Sequence, residues 1–398
     1  MQANSFGPRG VRDGEAGVPT SRASHASSVH SAAFAALRKQ APDHDHDGAD
    51  PVSLCRPLVE AGVFRDVLPL EQGGRGWATS SSATDEVLGF LLDLGGADLS
   101  AGRLFEGHLN AVKLVWRFGS ADQRRACAED VLNGAVAGVW NAEVRPGARL
   151  SITPARGRRA VIEGGKIFCS GLGIVTRPVF TARTPDEDVL MLAPGPLDSS
   201  RFNLADWKVQ GMRATATGSV DLTGVMVGEE DVVGAPGDFY RSPAFKGGAW
   251  RFAALHAGAV GRLAALTRAE LRARGRDGDP HQTARLGALA IAAETAELWV
   301  TRAAQAAESG EWALEAVDAY VSLARTAVER AATEAVAIAQ RALGLSALTR
   351  PNAVERIARD LLTYLRQPFP DAALDEAARF LNGAPEPAPW SRVRSAAP

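Results

Sequence analysis

Residues 205–227, ADWKVQGMRATATGSVDLTGVMV, contain the change of pattern from which the fold can be inferred. Apolar side chains alternate from Val220 to Val227 with an interruption near Gly224, which fits a β-strand with a break in it. This is the last of several short β-like runs, because the chain becomes helical after Pro243. The stretch therefore marks the end of a β-rich region and the approach to a helical one.

The β-rich region occupies the middle of the chain, where short apolar runs are separated by turns that contain Pro, Gly and Asp. Residues 160–171, AVIEGGKIFCSG, are predicted to form a hairpin with Gly164 and Gly165 in its turn. Several short strands at this spacing are typical of a small antiparallel sandwich or barrel. We therefore expect a central antiparallel β-domain over residues 136–240.

The part of the chain that precedes the strands has helical periodicity. LCRPLVEAG is predicted to be a helix that ends at Gly62, and further helices are predicted at 81–95, 103–119 and 121–134. Residues 51–135 are therefore predicted to form an N-terminal helical domain.

Residues 1–50 are predicted to be a disordered or linker segment with a short helix at 32–40, because their composition cannot bury much apolar surface. DHDHDGAD at 43–50 contains His44 and His46, which could bind a metal ion. No further ligand lies at a fixed spacing on a rigid element, so the pattern favours a solvated linker.

The part of the chain that follows the strands is predicted to be a four-helix bundle over residues 241–385, with a tail at 386–398. Apolar side chains spaced by three and four residues form one seam, which consists of Val321, Ala324, Val328, Ala331, Ala335, Ile338 and Ala342. A second seam consists of Leu286, Leu289, Ala293, Ala296 and Val300. Their small side chains allow helices to approach closely, and the fold class is predicted to be α+β and mostly α.

The composition excludes several classes of protein. The 398 residues carry a formal net charge of −2, and 23% are charged, so nothing indicates a nucleic-acid-binding surface. The three cysteines have neither disulfide nor metal-ligand spacing, and no metal site is expected. No apolar run reaches the roughly 18 residues of a membrane span, and the amino terminus lacks a secretory signal. We therefore expect a cytoplasmic protein that does not bind membranes.

The order of the predicted elements and several sequence motifs resemble those of the acyl-CoA dehydrogenase superfamily over residues 51–381. The motifs that carry the resemblance are EAGVFRDVLPLEQGGRG (60–76), RFGSADQRRACAEDVLNG (117–134), GMRATATGS (211–219), LHAGAVGRLAAL (255–266), IAQRALGLSAL (338–348) and ERIARDLLTY (355–364). The resemblance implies the acyl-CoA dehydrogenase fold, a flavin cofactor (FAD, with FMN as a possibility) and a homodimer or homotetramer.

The resemblance also implies residues that bind the flavin ring. Asn141, Ala142 and Glu143 occupy the place where the family wraps the pyrimidine edge, although the family has threonine where this chain has Ala142. KIFCSG at 166–171 matches the family's hairpin pattern, which implies that Phe168 lies against the flavin face and Ser170 near N5. On a regular strand, residues 168 and 170 point to the same side. The alternative is a core phenylalanine beside a strand-end serine.

In the family, a neighbouring subunit holds the adenosine end of the cofactor. Arg274, Gln340 and Gly344 match the positions that do so. An arginine suits a pyrophosphate because its donors form a planar fork, but Arg274 could equally be a solvated surface charge.

The catalytic glutamate of the family has two known positions, and both have other residues here. They fall at Pro368, just after the Arg-Asp helix, and at Trp250, just ahead of the AGAVG helix. Neither residue can take a proton as a base. Trp250 and Arg251 are instead expected to contact the substrate.

Three functions remain open from the sequence. The first is a flavin-dependent oxidoreductase acting on the CH–CH group of an acyl-CoA or similar small substrate, with an atypical base and an electron-transfer flavoprotein as partner. The second is a two-component monooxygenase that receives reduced flavin from a flavin reductase and uses O2. The third is a non-catalytic paralogue. His108, on the apolar face of its predicted helix, is the candidate catalytic residue, with a buried structural histidine as the alternative.

Overall fold

The computed structural model describes residues 28–143, 151–154, 159–366, 369–384, 388 and 390. Helices come first, strands follow and helices return, which confirms the predicted element order and the mostly helical α+β class. Residues 1–27, most of the predicted tail and Pro368 lie outside the described residues.

The first group of helices agrees closely with the predicted one. Its members are α1 (Ser28–Gln40), α2 (Pro51–Glu60), α3 (Thr84–Ala97), α4 (Leu99–Phe118) and α5 (Ala121–Leu132). Asp50 caps α2 and Asp98 caps α4, because each carboxylate accepts backbone N–H groups of the first turn. Ser120 and Gln123 form a reciprocal capping box at the start of α5.

The predicted linker at 43–50 is wrong, because this stretch is fixed to the rest of the fold. The Asp45 carboxylate accepts a 2.5 Å hydrogen bond from Arg359, and Asp47 accepts one of 2.8 Å from Arg213. The His44 ring forms a hydrogen bond with the Gln40 carbonyl. No group of three His, Cys, Asp or Glu side chains in the described part of the chain could hold a metal ion.

In the described part of the chain, ten strands form two sheets. They are β1 (Val136–Trp140), β2 (Ser151–Pro154), β3 (Arg159–Glu163), β4 (Gly165–Cys169), β5 (Val175–Arg183), β6 (Val189–Leu192), β7 (Phe202–Asn203), β8 (Gly218–Asp221), β9 (Met226–Gly228) and β10 (Val232–Val233). One sheet has the order β10-β6-β5-β2-β3-β9, with β1 also paired to β5, and the other has the order β4-β8-β7. The pairings are antiparallel except that β1 and β2 run parallel to β5.

The predicted hairpin at 160–171 is wrong. β3 pairs with β2 and β9, whereas β4 pairs with β8 in the other sheet. Gly164, with φ of 90°, therefore turns the chain from one sheet into the other. Gly224, with φ of 81°, does the same between β8 and β9, so the predicted break in the 220–227 strand separates two sheets.

The last helices are α6 (Trp250–Ala273), α7 (Pro280–Glu308), α8 (Leu314–Leu343), α9 (Ala353–Tyr364) and α10 (Pro370–Gly383). The two predicted seams lie along α7 and α8, which pack against each other, and their residues are buried or partly buried. Gly95 and Gly258 let α3 and α6 touch, since a Cβ at Gly258 would lie 1.9 Å from the Leu92 carbonyl oxygen. Within the described residues, no helix is both long and apolar enough to span a membrane.

Candidate functional site

A narrow cleft lies between α4 and the strands. α4 contributes Arg103, Leu104 and Gly107 to its walls, and the strand region contributes Gly138, Val139, Ser170 and Val175. Gly138 is required for the approach of β1 to β5, because a Cβ there would lie 2.9 Å from a methyl carbon of Val175. The cleft brings residues of both predicted domains together, and Ser170 is the one predicted flavin-binding residue that lines it.

Phe168 and Ser170 do not lie on a regular alternating strand, so the argument from alternation is wrong. The register of β4 shifts between Lys166 and Cys169, and Phe168 has φ of 53°. The shift leaves the Cys169 side chain buried and turns Phe168 outward, where it is 63% exposed. An exposed aromatic ring in left-handed backbone is an unusual arrangement that stable folding alone does not require.

Hydrogen bonds fix the position of Ser170. Its carbonyl oxygen accepts a 2.9 Å bond from the indole N–H of Trp140, and its hydroxyl accepts one of 3.1 Å from Thr217. Thr217 in turn shares a 2.8 Å bond with the hydroxyl of Thr215. The Ser170 hydroxyl therefore ends a short chain of hydroxyl groups at the wall of the cleft.

The segment Asn141–Ala142–Glu143 follows β1 and is held against β4. The Ala142 carbonyl accepts a 2.9 Å bond from the Ile167 N–H, and Thr181 donates a 2.5 Å bond to the Asn141 side-chain oxygen. Lys166 is only 1% exposed and forms a 3.0 Å ion pair with Glu143. Burial lowers the pKa of Lys166, and the Glu143 charge opposes that effect.

His108 lies on the buried face of α4, and both of its ring nitrogens bond to backbone groups. Nε2 donates a 2.8 Å bond to the Phe64 carbonyl, and Nδ1 accepts one of 2.9 Å from the Ala137 N–H. This pattern requires the neutral ring, and burial lowers its pKa to about 4. His108 has no exposed surface. The geometry corrects the catalytic assignment in favour of a buried histidine that fixes β1 to α4.

Trp250 and Arg251, at the start of α6, are both buried and share one carboxylate oxygen. Trp250 Nε1 donates to Glu308 Oε1 at 3.2 Å, and Arg251 Nη1 donates to the same atom at 3.1 Å. Lys113 Nζ donates to Glu308 Oε2 at 2.8 Å. Burial alone would raise the pKa of Glu308, but the two cations outweigh it and hold that pKa below its ordinary value.

These residues belong to a larger group that we call the interior charge cluster, which consists of Arg103, Glu106, Lys113, Arg251 and Glu308. Asn110 connects its two ends, because it accepts a 2.5 Å bond from Arg251 and donates to Glu106. Arg103 donates a 2.6 Å bond to Glu106. The sequence analysis missed Arg103 and Glu106, although their spacing of three residues in an apolar helix was a usable signal.

Two further buried groups were also missed. The His256 ring lies 4.5 Å from the Tyr364 ring, and its Nε2 has no hydrogen-bond partner in the described structure. Burial, reinforced by the Arg325 charge, lowers the pKa of His256 to about 3. Burial also raises the pKa of Tyr364, so both rings are neutral groups in the interior.

Arg274 and Gly344 come together at the opposite end of the bundle from Trp250. Arg274 donates to the Leu343 carbonyl at 3.2 Å and to the Ser346 hydroxyl at 2.6 Å, and it also pairs with Glu270. α6 has 24 residues, so Trp250 and Arg274 lie roughly 36 Å apart along it.

Carboxyl groups close to the other glutamate position are involved in structural contacts. Pro368 lies outside the described residues. Asp360 accepts a 2.6 Å bond from the Met212 N–H and pairs with Arg356 at 3.4 Å. Burial raises the pKa of Asp360 to about 7. Asp360 thus joins α9 to the GMR segment, as expected of a structural carboxyl.

Comparison with known proteins gives a consistent result. No protein-family profile matches the chain. The dibenzothiophene monooxygenase of Rhodococcus qingshengii is 28% identical over 216 residues, which make up 51% of this chain and 49% of that protein. The chain thus spans about half the length of the curated relatives it matches.

Solved structures match over most of the chain. FMN-bound TdsC from Paenibacillus sp. A11-2 has a TM-score of 0.78 at 23% identity, covering 91% of this chain and 99% of that one. Butyryl-CoA dehydrogenase from Megasphaera elsdenii has a TM-score of 0.79 at 16% identity, covering 89% of this chain and 96% of that one. The protein therefore has the acyl-CoA dehydrogenase fold that its sequence predicted.

Proposed function

We propose that this protein is a flavin-dependent oxidoreductase that uses reduced flavin and O2, in the manner of a two-component monooxygenase. The observation that carries the proposal is the contact of Trp250 with Glu308. An indole occupies one of the two positions where a dehydrogenase of this superfamily has its base, and the carboxylate behind it is held ionised by Lys113 and Arg251. Removal of an α-proton needs a carboxylate that can reach it and accept it, whereas oxygen transfer does not.

The similarity to dibenzothiophene monooxygenase and the shared fold of FMN-bound TdsC support the same choice. We infer that the substrate is a small organic molecule and that a separate flavin reductase supplies the reduced cofactor. The similarity covers only about half of the chain, so the substrate itself is not inherited from these relatives.

Ser170 in the cleft wall and Phe168, two residues before it in the chain, fit a flavin ring. Phe168 offers an exposed aromatic face, and Ser170 offers a hydroxyl at the cleft wall. The segment from Asn141 to Glu143 is fixed by Lys166, so backbone groups beside β4 are ordered before a ligand arrives. A ring system with one apolar face and a polar edge needs this combination of groups.

Bound reduced flavin would supply the electrons that activate O2. The residues of this chain would bind and orient the reactants. Leu104 and Val175 exclude water from the cleft walls, and Arg103 lines the same cleft as Ser170. Arg103 keeps its charge despite burial because Glu106 stabilises it, so it can stabilise negative charge that develops in the cleft.

We further propose that the active unit is a homodimer or homotetramer. The family resemblance is what supports this, because it implies that Arg274, Gln340 and Gly344 serve a flavin bound to a neighbouring subunit. They would contact the adenosine part of FAD, which FMN lacks. Arg274 already pairs with Glu270 and Ser346, which favours FMN or a weakly held FAD.

Dehydrogenation of a CH–CH group remains the second candidate. One observation favours it: burial raises the pKa of Asp360 to about 7, so this carboxyl could change its protonation near neutral pH. Asp360 would have to release the Met212 N–H to act as a base. An electron-transfer flavoprotein would then be the partner instead of a flavin reductase.

Anaerobic titration of the purified chain with oxidised and reduced FMN and FAD tests the proposal. We expect reduced FMN to bind and butyryl-CoA to leave the bound oxidised flavin yellow. Phe168→Ala should weaken flavin binding about tenfold, since an aromatic contact contributes up to about 1.5 kcal/mol. Leu70→Ala is the matched control, because Leu70 is also an exposed apolar side chain but is not part of the proposed flavin site. Rapid bleaching by butyryl-CoA would favour the dehydrogenase instead.

A further inference from the structure

The interior charge cluster contains more positive than negative charge. Arg103, Lys113 and Arg251 are cations, whereas only Glu106 and Glu308 are carboxylates, so three positive charges meet two negative ones. All five side chains are at most 24% exposed. Burying an uncompensated charge is costly, and a bound anion would balance it.

Among the described residues, neighbouring groups do not remove the excess positive charge. The Tyr364 hydroxyl is neutral, because burial raises its pKa well above its ordinary value. Asn110 joins the two halves of the cluster without carrying a charge. Arg117, one turn further along α4, is a cation with an exposed side chain, so its charge is solvated. The additional charge therefore stays with the buried cations.

A cavity adjoins the Lys113 end of the cluster. Trp77, Val87 and Trp250 form its apolar walls, Ser80 and Thr84 contribute hydroxyls, and Lys113, Arg251 and Glu308 form its charged wall. Its volume of about 10 Å³ holds no more than one water, so a larger ligand needs a side chain to move.

Lys113 is the side chain suited to that movement. It is the most exposed member of the cluster, at 24%. Within the described structure, its Nζ forms one hydrogen bond, to Glu308, out of the three that an ammonium group can donate. Two donors therefore remain for a ligand oxygen. Burial, with repulsion from Arg251, lowers the pKa of Lys113, and an anion in the cavity would reverse this effect.

We propose that this cavity binds the carboxylate of a small aromatic acid, which is the substrate class of the proposed enzyme. Lys113 and Arg251 recognise the anion, and Trp77, Val87 and Trp250 contact the ring. Arg103 lies ten residues before Lys113 on α4, or roughly 15 Å away, and lines the flavin-side cleft. The cavity and that cleft therefore lie along the same helix, with the Glu106–Asn110–Arg251 hydrogen bonds between them. This inference rests on the proposed function, because it names the substrate class of that enzyme. Its test measures binding alone and does not require enzyme activity.

Isothermal titration of the purified full-length chain, with FMN present, tests this inference through binding alone. The probes are 2-naphthoate and its neutral analogue 2-naphthamide, which have nearly the same shape. We expect naphthoate to bind at least about tenfold more tightly, the usual contribution of a charge-assisted hydrogen bond. Lys113→Met should remove most of this preference.

The matched control is Arg117→Met, which removes the same charge from the same helix at a solvated position and should keep the preference. Lys113→Gln keeps a donor without the charge and substitutes for Lys113→Met if that variant folds poorly. Equal binding of the two probes, no binding of either, or a preference that survives loss of Lys113 would overturn the inference. Flavin binding and O2 use are measured separately, so the proposed function can succeed where this inference fails.

Discussion

Glu308→Gln should destabilise the protein far more than Lys113→Met, although both remove one charge from the same ion pair. Glu308 accepts hydrogen bonds from Lys113 at 2.8 Å, Arg251 at 3.1 Å and Trp250 at 3.2 Å, and its side chain is 13% exposed. Its loss leaves three cations with one carboxylate, whereas loss of Lys113 leaves two of each.

The expected magnitudes follow from this count. Removal of one partner from a buried ion pair costs about 3–5 kcal/mol, and the partial exposure of Glu308 places Glu308→Gln near the lower end, at about 3 kcal/mol. After Lys113→Met, Glu308 still has Arg251 and Trp250, so the cost should be about 1 kcal/mol, close to that of one hydrogen bond.

Urea unfolding followed by far-ultraviolet circular dichroism measures the difference. Both variants should keep the slope of the unfolding transition, so the shift in midpoint reports the change in free energy. Arg117→Met should leave the free energy of unfolding within about 0.5 kcal/mol of the wild-type value, as surface substitutions do. Equal destabilisation by Glu308→Gln and Lys113→Met would refute the charge count on which the cluster argument depends.

Three further predictions concern other parts of the molecule. The folded-state pKa of His256 is about 3, below the ordinary 6.5, so the unfolded chain takes up a proton that the native protein does not between those values. Stability should therefore fall as the pH drops through this window. His256→Phe should make that fall shallower by up to about 1.4 kcal/mol per pH unit, measured by urea titrations at several pH values. An unchanged dependence of stability on pH would contradict the prediction for His256. Lys166→Met should lower FMN affinity by loosening Glu143, whereas the exposed-lysine control Lys39→Met should not; equal fluorescence titrations for both would refute the anchoring role. Arg274→Ala should weaken FAD binding and leave FMN binding unchanged, and an equal loss for both flavins would show that Arg274 acts only through the fold.

Much of the fold could be predicted because its signals are local. Helix limits follow from nearby caps, such as Asp50 before α2 and Ser120 before α5, and the seams on α7 and α8 follow from periodicity. Strand pairing depends on distant partners, so the 160–171 segment resembled a hairpin although its halves join different sheets.

The candidate site could be predicted only in part. The sequence placed His108 on the buried face of its helix, but its partners Phe64 and Ala137 lie 44 and 29 residues away, and no local pattern reveals them. The outward turn of Phe168 depends on a backbone irregularity rather than on alternation. The interior charge cluster joins α4 to α6 and α7, so its composition became visible only in three dimensions.

The fate of oxygen tests the central proposal most directly. The purified chain would be supplied with FMN, NADH and a flavin reductase under ¹⁸O2, together with 2-naphthoate, indole and dibenzothiophene, and the products examined by mass spectrometry. We predict that at least one of these compounds is converted to a product that contains ¹⁸O, and that this product forms only when the chain is present. Absence of ¹⁸O from every product, together with rapid anaerobic bleaching of the flavin by an acyl-CoA, would contradict the monooxygenase assignment and establish the dehydrogenase in its place.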